Sequence, residues 1–256
     1  MRLTILGSGT SFGVPQIGCR CDVCTSSDAR DRRTRVSALV EGDSGTRILI
    51  DTPPELRLQL VAAGIDSVNA VLYTHDHADH VQGIDDLRAM SIRFGRLPVY
   101  GASDVLDRIR QRFGYIFDDP APTPGIPRPE LATVPLESDV EVEVAGVPVR
   151  PILLEHGPAQ VYGYRIGNLG YITDAKAVPQ RAIAALRGVR VLVLNALFER
   201  PHPSHLSIPE AIEVAREVRA ERTLLTHLTH RTGHAALAAR LPEGMAPAYD
   251  GLIIDF

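Results

Sequence analysis

Long apolar runs, paired cysteines and an excess of basic charge are all missing from these 256 residues, and each absence removes a class of protein. No stretch approaches the eighteen or so apolar residues needed to span a bilayer. The opening MRLTILGSGTS has one basic residue and an apolar run of three or four, too short for the core of a secretory signal. The expectation is therefore a soluble, cytoplasmic protein with no membrane partner. A disulfide framework wants an even number of cysteines and an oxidising compartment, and the chain has three. The formal net charge of −4 argues against gripping long nucleic acid through bulk electrostatics. Lys176 is the single lysine among 27 basic residues, which reads as compositional bias. What is present is ordinary for a globular protein: 45% hydrophobic and 23% charged residues, enough apolar matter for a large core. Length alone allows one large domain or two small ones.

Short strands alternate with helices along the chain. Strands are predicted at 2–7, 35–41, 46–51, 70–74, 97–101, 144–155, 162–167, 169–174, 189–195, 222–227 and 252–256. Helices are predicted at 53–64, 85–95, 103–114, 179–188, 207–221 and 234–241. The segment 118–130 contains five prolines and reads as a loop. No internal repeat is visible. Strands come in two batches with helices after each, which suits a layered α/β protein with helices outside two packed sheets.

The stretch LYTHDHADHVQG carries the strongest chemical signal. His75, His77, Asp79 and His80 follow the apolar strand 70–74 within six residues, and strand ends are where α/β proteins present chemistry to solvent. The spacing is not that of a zinc-protease helix, whose histidines lie four apart. A loop can turn His75 and His77 towards one metal, and Asp79 and His80 towards a neighbour. Three of nine histidines beside carboxylates favour metal over a merely polar loop.

HxHxDH behind a buried strand resembles the metallo-β-lactamase superfamily of metallohydrolases. The resemblance implies an αββα sandwich of two packed mixed sheets flanked by helices, read here as one domain over 1–256. It asks for three further strand-end ligands, and His156, Asp174 and His227 match. One metal would then be held by His75, His77 and His156, a second by Asp79, His80 and His227, with Asp174 bridging. Such ligands suit zinc, manganese or iron. Two cations roughly 3.5–4 Å apart can hold a shared water as hydroxide for in-line attack on phosphorus. The leaving alkoxide needs a proton, and His205, just before a helix, stands where related phosphodiesterases carry a substrate-contacting histidine. Catalysis is accordingly assigned to Asp79 and His205. His202 is left open between solvent and site, and His234 is taken as having no role. Asp51 matches a supporting aspartate, although the usual DxG pattern is absent; a turn role is the alternative.

The three cysteines, Cys19, Cys21 and Cys24, fall in the loop 17–26. A closed structural zinc needs four ligands, and Cys₃His is a standard set. His230, three residues after His227 in THLTHR, supplies the fourth. CxCxxC, HxHxDH and a late HxxH together resemble the PhnP-like phosphodiesterases associated with carbon–phosphorus lyase. That resemblance implies hydrolysis of a small cyclic phosphodiester such as 5-phosphoribosyl 1,2-cyclic phosphate or a nucleoside 2′,3′-cyclic phosphate, and a homodimer. The competing readings are a tRNA 3′-processing endoribonuclease, for which no Lys/Arg-rich arm is visible, and a non-catalytic zinc-stabilised protein resembling pyrroloquinoline-quinone biosynthesis protein B.

Overall fold

The computed structural model describes residues 1–117 and 127–256. Part of the proline-rich segment, 118–126, lies outside the described residues; 127–130 carry no regular element. The first sheet contains β1 (Arg2–Gly7), β2 (Ser37–Glu41), β3 (Arg47–Ile50), β4 (Ala70–Leu72), β5 (Leu97–Gly101) and β6 (Leu131–Pro135). The second contains β7 (Val142–Val144), β8 (Val147–His156), β9 (Ala159–Ile166), β10 (Leu169–Ile172), β11 (Val191–Asn195), β12 (Arg222–Thr226) and β13 (Met245–Pro247). The last strand, β14 (Ile253–Asp255), returns to the first sheet beside β1. The orders are β14-β1-β2-β3-β4-β5-β6 and β13-β12-β11-β10-β9-β8-β7.

Both sheets obey one pattern that sequence inspection does not show. From β14 the first runs through antiparallel pairs to β3, then parallel pairs to β6. From β7 the second runs antiparallel to β10, then parallel to β13. The two halves thus repeat in architecture without repeating in residues.

The central parallel strands are buried because helices cover one face and the opposite sheet the other. AVL in β4 and VLVLN in β11 are buried at every position. Leu3, Ile48, Ile50, Val149, Tyr164, Val193 and Ile254 join in one core between the sheets. Leu56, Leu60, Val105 and Ile109 pack helices onto the outer face of the first sheet, and Ile183, Leu186, Ala211 and Val218 do so on the second. The layers are therefore helix, sheet, sheet, helix, as the sequence implied. Each fully buried Leu or Ile contributes about 1.5–3 kcal/mol to holding them together.

Local differences have local causes. The expected helix 85–95 opens with a tighter turn, Ile84–Leu87, before Arg88–Phe94. The expected helix 103–114 stops at Arg112, and a separate turn, Gly114–Phe117, follows. The short strands β6 and β13 escape sequence reading because LATVP and MAP are brief and end on proline.

Candidate metal centre

Every histidine and aspartate proposed from the sequence for the active site lies at the edge where the two sheets open. His75 and His77 leave the end of β4, and the short turn Ala78–Val81 carries Asp79 and His80. His156 is the last residue of β8, Asp174 follows β10 by two residues, and His227 follows β12 directly. Two donor groups result: His75, His77, His156 and Asp174, and beside it Asp79, His80, Asp174 and His227. Within each group the ligand atoms lie within 4.8 Å of one another.

Asp174 belongs to both groups. Its Oδ1 is 3.4 Å from His80 Nε2, and its Oδ2 is 3.4 Å from His227 Nε2, 3.9 Å from His75 Nε2 and 4.0 Å from His156 Nε2. Tetrahedral coordination with metal–ligand bonds of about 2.0–2.2 Å puts neighbouring donors about 3.4 Å apart, so the second group has that spacing and the first is wider. His75, His80, Asp174 and His227 are buried, whereas His77 is exposed and Asp79 half-buried, which opens the centre on that side.

The unpartnered atoms point the same way. His75 Nε2, His80 Nε2 and both ring nitrogens of His227 are buried without a hydrogen-bond partner, an arrangement that costs free energy unless something else binds them. Burial drives the His75 imidazole well below its usual range, with the His80 charge adding to this. Burial likewise lowers His227 to about 4, and neutral imidazole is the ligating form. Burial alone would raise Asp174, but the charges of His227 and His80 hold it well below the usual carboxylate range. Burial opposes a charge on His80 too, yet Asp174, Asp79 and Asp51 outweigh it and raise its affinity for a proton. Three carboxylates around one imidazole make a site that binds positive charge.

The Nδ1 atoms of His75, His80 and His156 are fixed by partners outside the donor groups. Asp51 Oδ2 lies 2.8 Å from His80 Nδ1, and Asp51 itself accepts from the Thr74 amide and hydroxyl, both at 2.8 Å. Thr74 Oγ1 is 3.0 Å from His75 Nδ1. His156 Nδ1 donates to the Ser204 carbonyl at 2.7 Å. Such contacts orient metal-binding imidazoles and select the tautomer. Asp51, Asp174 and His227 all adopt left-handed backbone, with φ of 61°, 58° and 59°. Each such residue costs about 1–3 kcal/mol, and such strain concentrates at functional sites.

His205 belongs to neither donor group but reaches them, its Nε2 3.1 Å from Asp174 Oδ2. Its Nδ1 is 2.9 Å from Ser204 Oγ and 3.4 Å from His202 Nδ1, so His202 adjoins the site. His234 is buried elsewhere against Tyr249, and its amide donates to Asp31.

At the second cluster, Cys19, Cys21 and Cys24 converge on His230 Nδ1, at 3.2, 3.6 and 3.5 Å. A tetrahedral zinc with bonds of about 2.3 Å to sulfur and 2.0 Å to nitrogen separates S and N by about 3.5 Å, so the four residues fit that ion.

A beta-lactamase superfamily domain matches residues 46–228. The crystal structure described as a new diphosphatase from the PhnP family superposes with a TM-score of 0.91 and 37% identity, covering 100% of this chain and 97% of that one. The chain belongs to the PhnP family. Among curated relatives, an octanoyltransferase of Porphyromonas gingivalis is 43% identical over 259 residues, covering 100% of this chain and 52% of that protein. A coenzyme PQQ synthesis protein B of Methylobacterium radiotolerans is 34% identical over 123 residues, covering 43% of this chain and 40% of that protein. The chain thus spans about half, or less, of these two curated relatives.

Several supports of this PhnP-family site carry no sequence signal. Asp76, between His75 and His77, is held by Arg108 Nε at 2.9 Å and Arg112 Nη2 at 3.2 Å, which fastens the ligand loop to helix Ser103–Arg112. Asn195 clamps the chain after Asp174, accepting from the Ala175 amide at 2.9 Å and donating to its carbonyl at 3.0 Å. Gly83 ends the ligand loop where a Cβ would meet the Pro53 carbonyl oxygen at 2.1 Å, so no side chain fits. Arg33, fully buried, donates to the carbonyls of Thr229 at 2.5 Å and Thr232 at 3.1 Å and pairs with Asp31 at 3.0 Å. It therefore grips the loop between His227 and His234 independently of the cysteines. Asp250, from the closing YDG, accepts from Ser8 and Thr34 and ties the first turn to the last.

Proposed function

We propose that this chain is a metal-dependent phosphodiesterase acting on a small cyclic phosphodiester. The observation that carries the reading is the Asp174 carboxylate shared by two complete donor groups, with His205 just outside them. His75, His77 and His156 would hold one divalent cation, and Asp79, His80 and His227 the other, with zinc, manganese or iron suited to such ligands. Bound there, the pair would lower the pKa of water and neutralise charge on a phosphoryl oxygen. His205 holds a proton at Nε2, beside the shared carboxylate, for the leaving alkoxide. Asp51, Thr74 and the Ser204 carbonyl keep the imidazoles turned inward. Cys19, Cys21, Cys24 and His230 would hold a structural zinc. A homodimer in the cytoplasm, with a small-molecule substrate and neither long nucleic acid nor membrane as partner, completes the proposal.

A second reading, cleavage of a diphosphate, is favoured by the name of the 37%-identical PhnP-family structure. The octanoyltransferase name describes a protein about twice as long and guides neither reading. One experiment separates them: metal analysis of the purified protein, with turnover of bis-p-nitrophenyl phosphate, cyclic phosphodiesters and nucleoside diphosphate sugars. About three metals per chain with selective cyclic-diester hydrolysis supports the first reading. Preference for the diphosphate replaces it with the second, and one metal with no turnover removes both.

A further inference from the structure

The packing around His205 fixes the plane of its ring but not which way round the ring sits. Its imidazole stacks on that of His227, with centroids 4.8 Å apart and planes 17° apart, and stands edge-on to His156 at 4.7 Å. A half-turn about the Cβ–Cγ bond keeps that plane and is open to histidine, whose second side-chain torsion is broad and roughly two-fold. The half-turn exchanges Nδ1 with Cδ2 and Nε2 with Cε1. A carbon would then face the leaving oxygen in place of the proton-bearing nitrogen.

Only polar contacts distinguish the two orientations. Nε2 lies 3.1 Å from Asp174 Oδ2, but in the proposed centre that carboxylate is shared between two cations. At the other end of the ring the Ser204 hydroxyl is 2.9 Å from Nδ1, and a hydroxyl both donates and accepts, so it holds Nδ1 with or without a proton there. His202 Nδ1 is 3.4 Å from the same nitrogen, and Ser204 places this ring too: its amide donates to His202 Nδ1 at 3.4 Å and its hydroxyl is 3.3 Å away. The Ser204 backbone is anchored separately. Its carbonyl accepts from His156 Nδ1 at 2.7 Å, and it packs on Gly157, where a Cβ would come within 3.3 Å of Ser204 Cβ. Removal of the hydroxyl should therefore leave the loop and the ligand His156 in place.

We infer that the Ser204 hydroxyl is a positioning group, which selects the His205 ring orientation that presents Nε2 to the leaving oxygen. The inference rests on the phosphodiesterase reading for its effect on turnover but not for the ring orientation. It makes Ser204 matter according to the leaving group. An alkoxide needs the proton from His205, whereas p-nitrophenolate is weakly basic and departs without one.

The test compares the wild type, Ser204→Ala and Ser204→Thr, at equal metal content, on adenosine 2′,3′-cyclic phosphate and bis-p-nitrophenyl phosphate. Ser204→Ala should lower kcat for the cyclic diester on the order of 10–100-fold, part of the 10²–10⁴-fold typical of a positioned acid, and lower it less than about threefold for the aryl diester. KM should change little for either. Ser204→Thr keeps Oγ and should recover most of the loss. Equal losses on both substrates, no loss on the cyclic one, or a threonine variant as impaired as the alanine one overturns the inference. Proton NMR of the zinc-loaded protein reads the ring without turnover, because Hδ2 and Hε1 of His205 exchange neighbours on a half-turn. Contacts of both orientations should appear in Ser204→Ala and of one in the wild type; a single native orientation in the alanine variant also overturns the assignment. If the wild type turns over no cyclic diester, the phosphodiesterase reading fails, and the ring protons alone decide the role of Ser204.

Discussion

Replacing Asp51 by Asn tests whether the contact behind His80 governs metal binding. Asp51 is fully buried and follows β3 with φ of 61°, a conformation that Asn adopts readily, so the backbone should be unchanged. The carboxylate offers only acceptors, which forces the proton of neutral His80 onto Nδ1 and leaves Nε2 free towards Asp79 and Asp174, at 3.4 Å each. An amide can keep one acceptor for the Thr74 amide. Its NH₂ then faces His80 Nδ1 and the Thr74 hydroxyl, both donors in the native arrangement. The imidazole can relieve the clash by moving its proton to Nε2, the atom a cation requires. Loss of such a supporting contact lowers metal affinity by about 10–100-fold, or about 1.4–2.8 kcal/mol. Competition titration against a chelator measures this directly, and nitrogen NMR of labelled histidine, at a pH high enough for His80 to be neutral, reports the tautomer. A folded variant with unchanged affinity and Nε2 still unprotonated would refute the reasoning.

Other perturbations separate the two anchors of the His227 loop. His230→Ala should reduce bound metal by one per chain and lower the melting temperature, yet cost less than about tenfold in kcat, because Arg33 still holds Thr229 and Thr232; metal analysis with kinetics checks both. Arg33→Met strands the buried Asp31 carboxylate and frees two carbonyls, and a loss of about 3–5 kcal/mol should appear in urea unfolding at constant metal loading. For the metal-free protein, the His227 pKa of about 4 lies below the unfolded value of 6.5. The unfolded chain therefore binds more protons between these limits, and stability should fall as the pH drops through that window, by about 3 kcal/mol from this residue. His75 and His156 are lowered in the same direction and outnumber His80, which its carboxylates raise and which acts in the opposite one. A melting temperature independent of pH between 4 and 6.5 would contradict the assignment.

The sequence reveals chemistry where it is compressed and hides it where it depends on the meeting of distant segments. HxHxDH is visible because six consecutive positions behind the β4 strand hold four donors. Asp174 and His227 are visible only through their order behind that motif, since a lone strand-end Asp or His is commonplace. In the sequence Asp51 suits a turn as well as a support, and only the 2.8 Å contact to His80 distinguishes them. Arg33, Asp76 and Asn195 carry no signal: Arg33 meets carbonyls 196 and 199 positions away, and nothing in the residues between encodes that meeting.

The repeated sheet pattern explains why the supports sit where they do. β3 and β10 occupy equivalent places, each joining the antiparallel half of its sheet to the parallel half. Asp51 follows the first and Asp174 the second, with φ of 61° and 58°. One architectural position therefore delivers two buried carboxylates to opposite sides of His80, at 2.8 Å from Nδ1 and 3.4 Å from Nε2. Asp174 lies in both donor groups while Asp51 turns an imidazole towards them, so the same backbone turn serves binding in one half and orientation in the other. An exchange of roles between them is closed off by geometry, because Asp51 is fully enclosed by Thr74 and His80 and reaches no second donor group. The centre depends on the two halves placing carboxylates with different roles at positions that share a left-handed backbone.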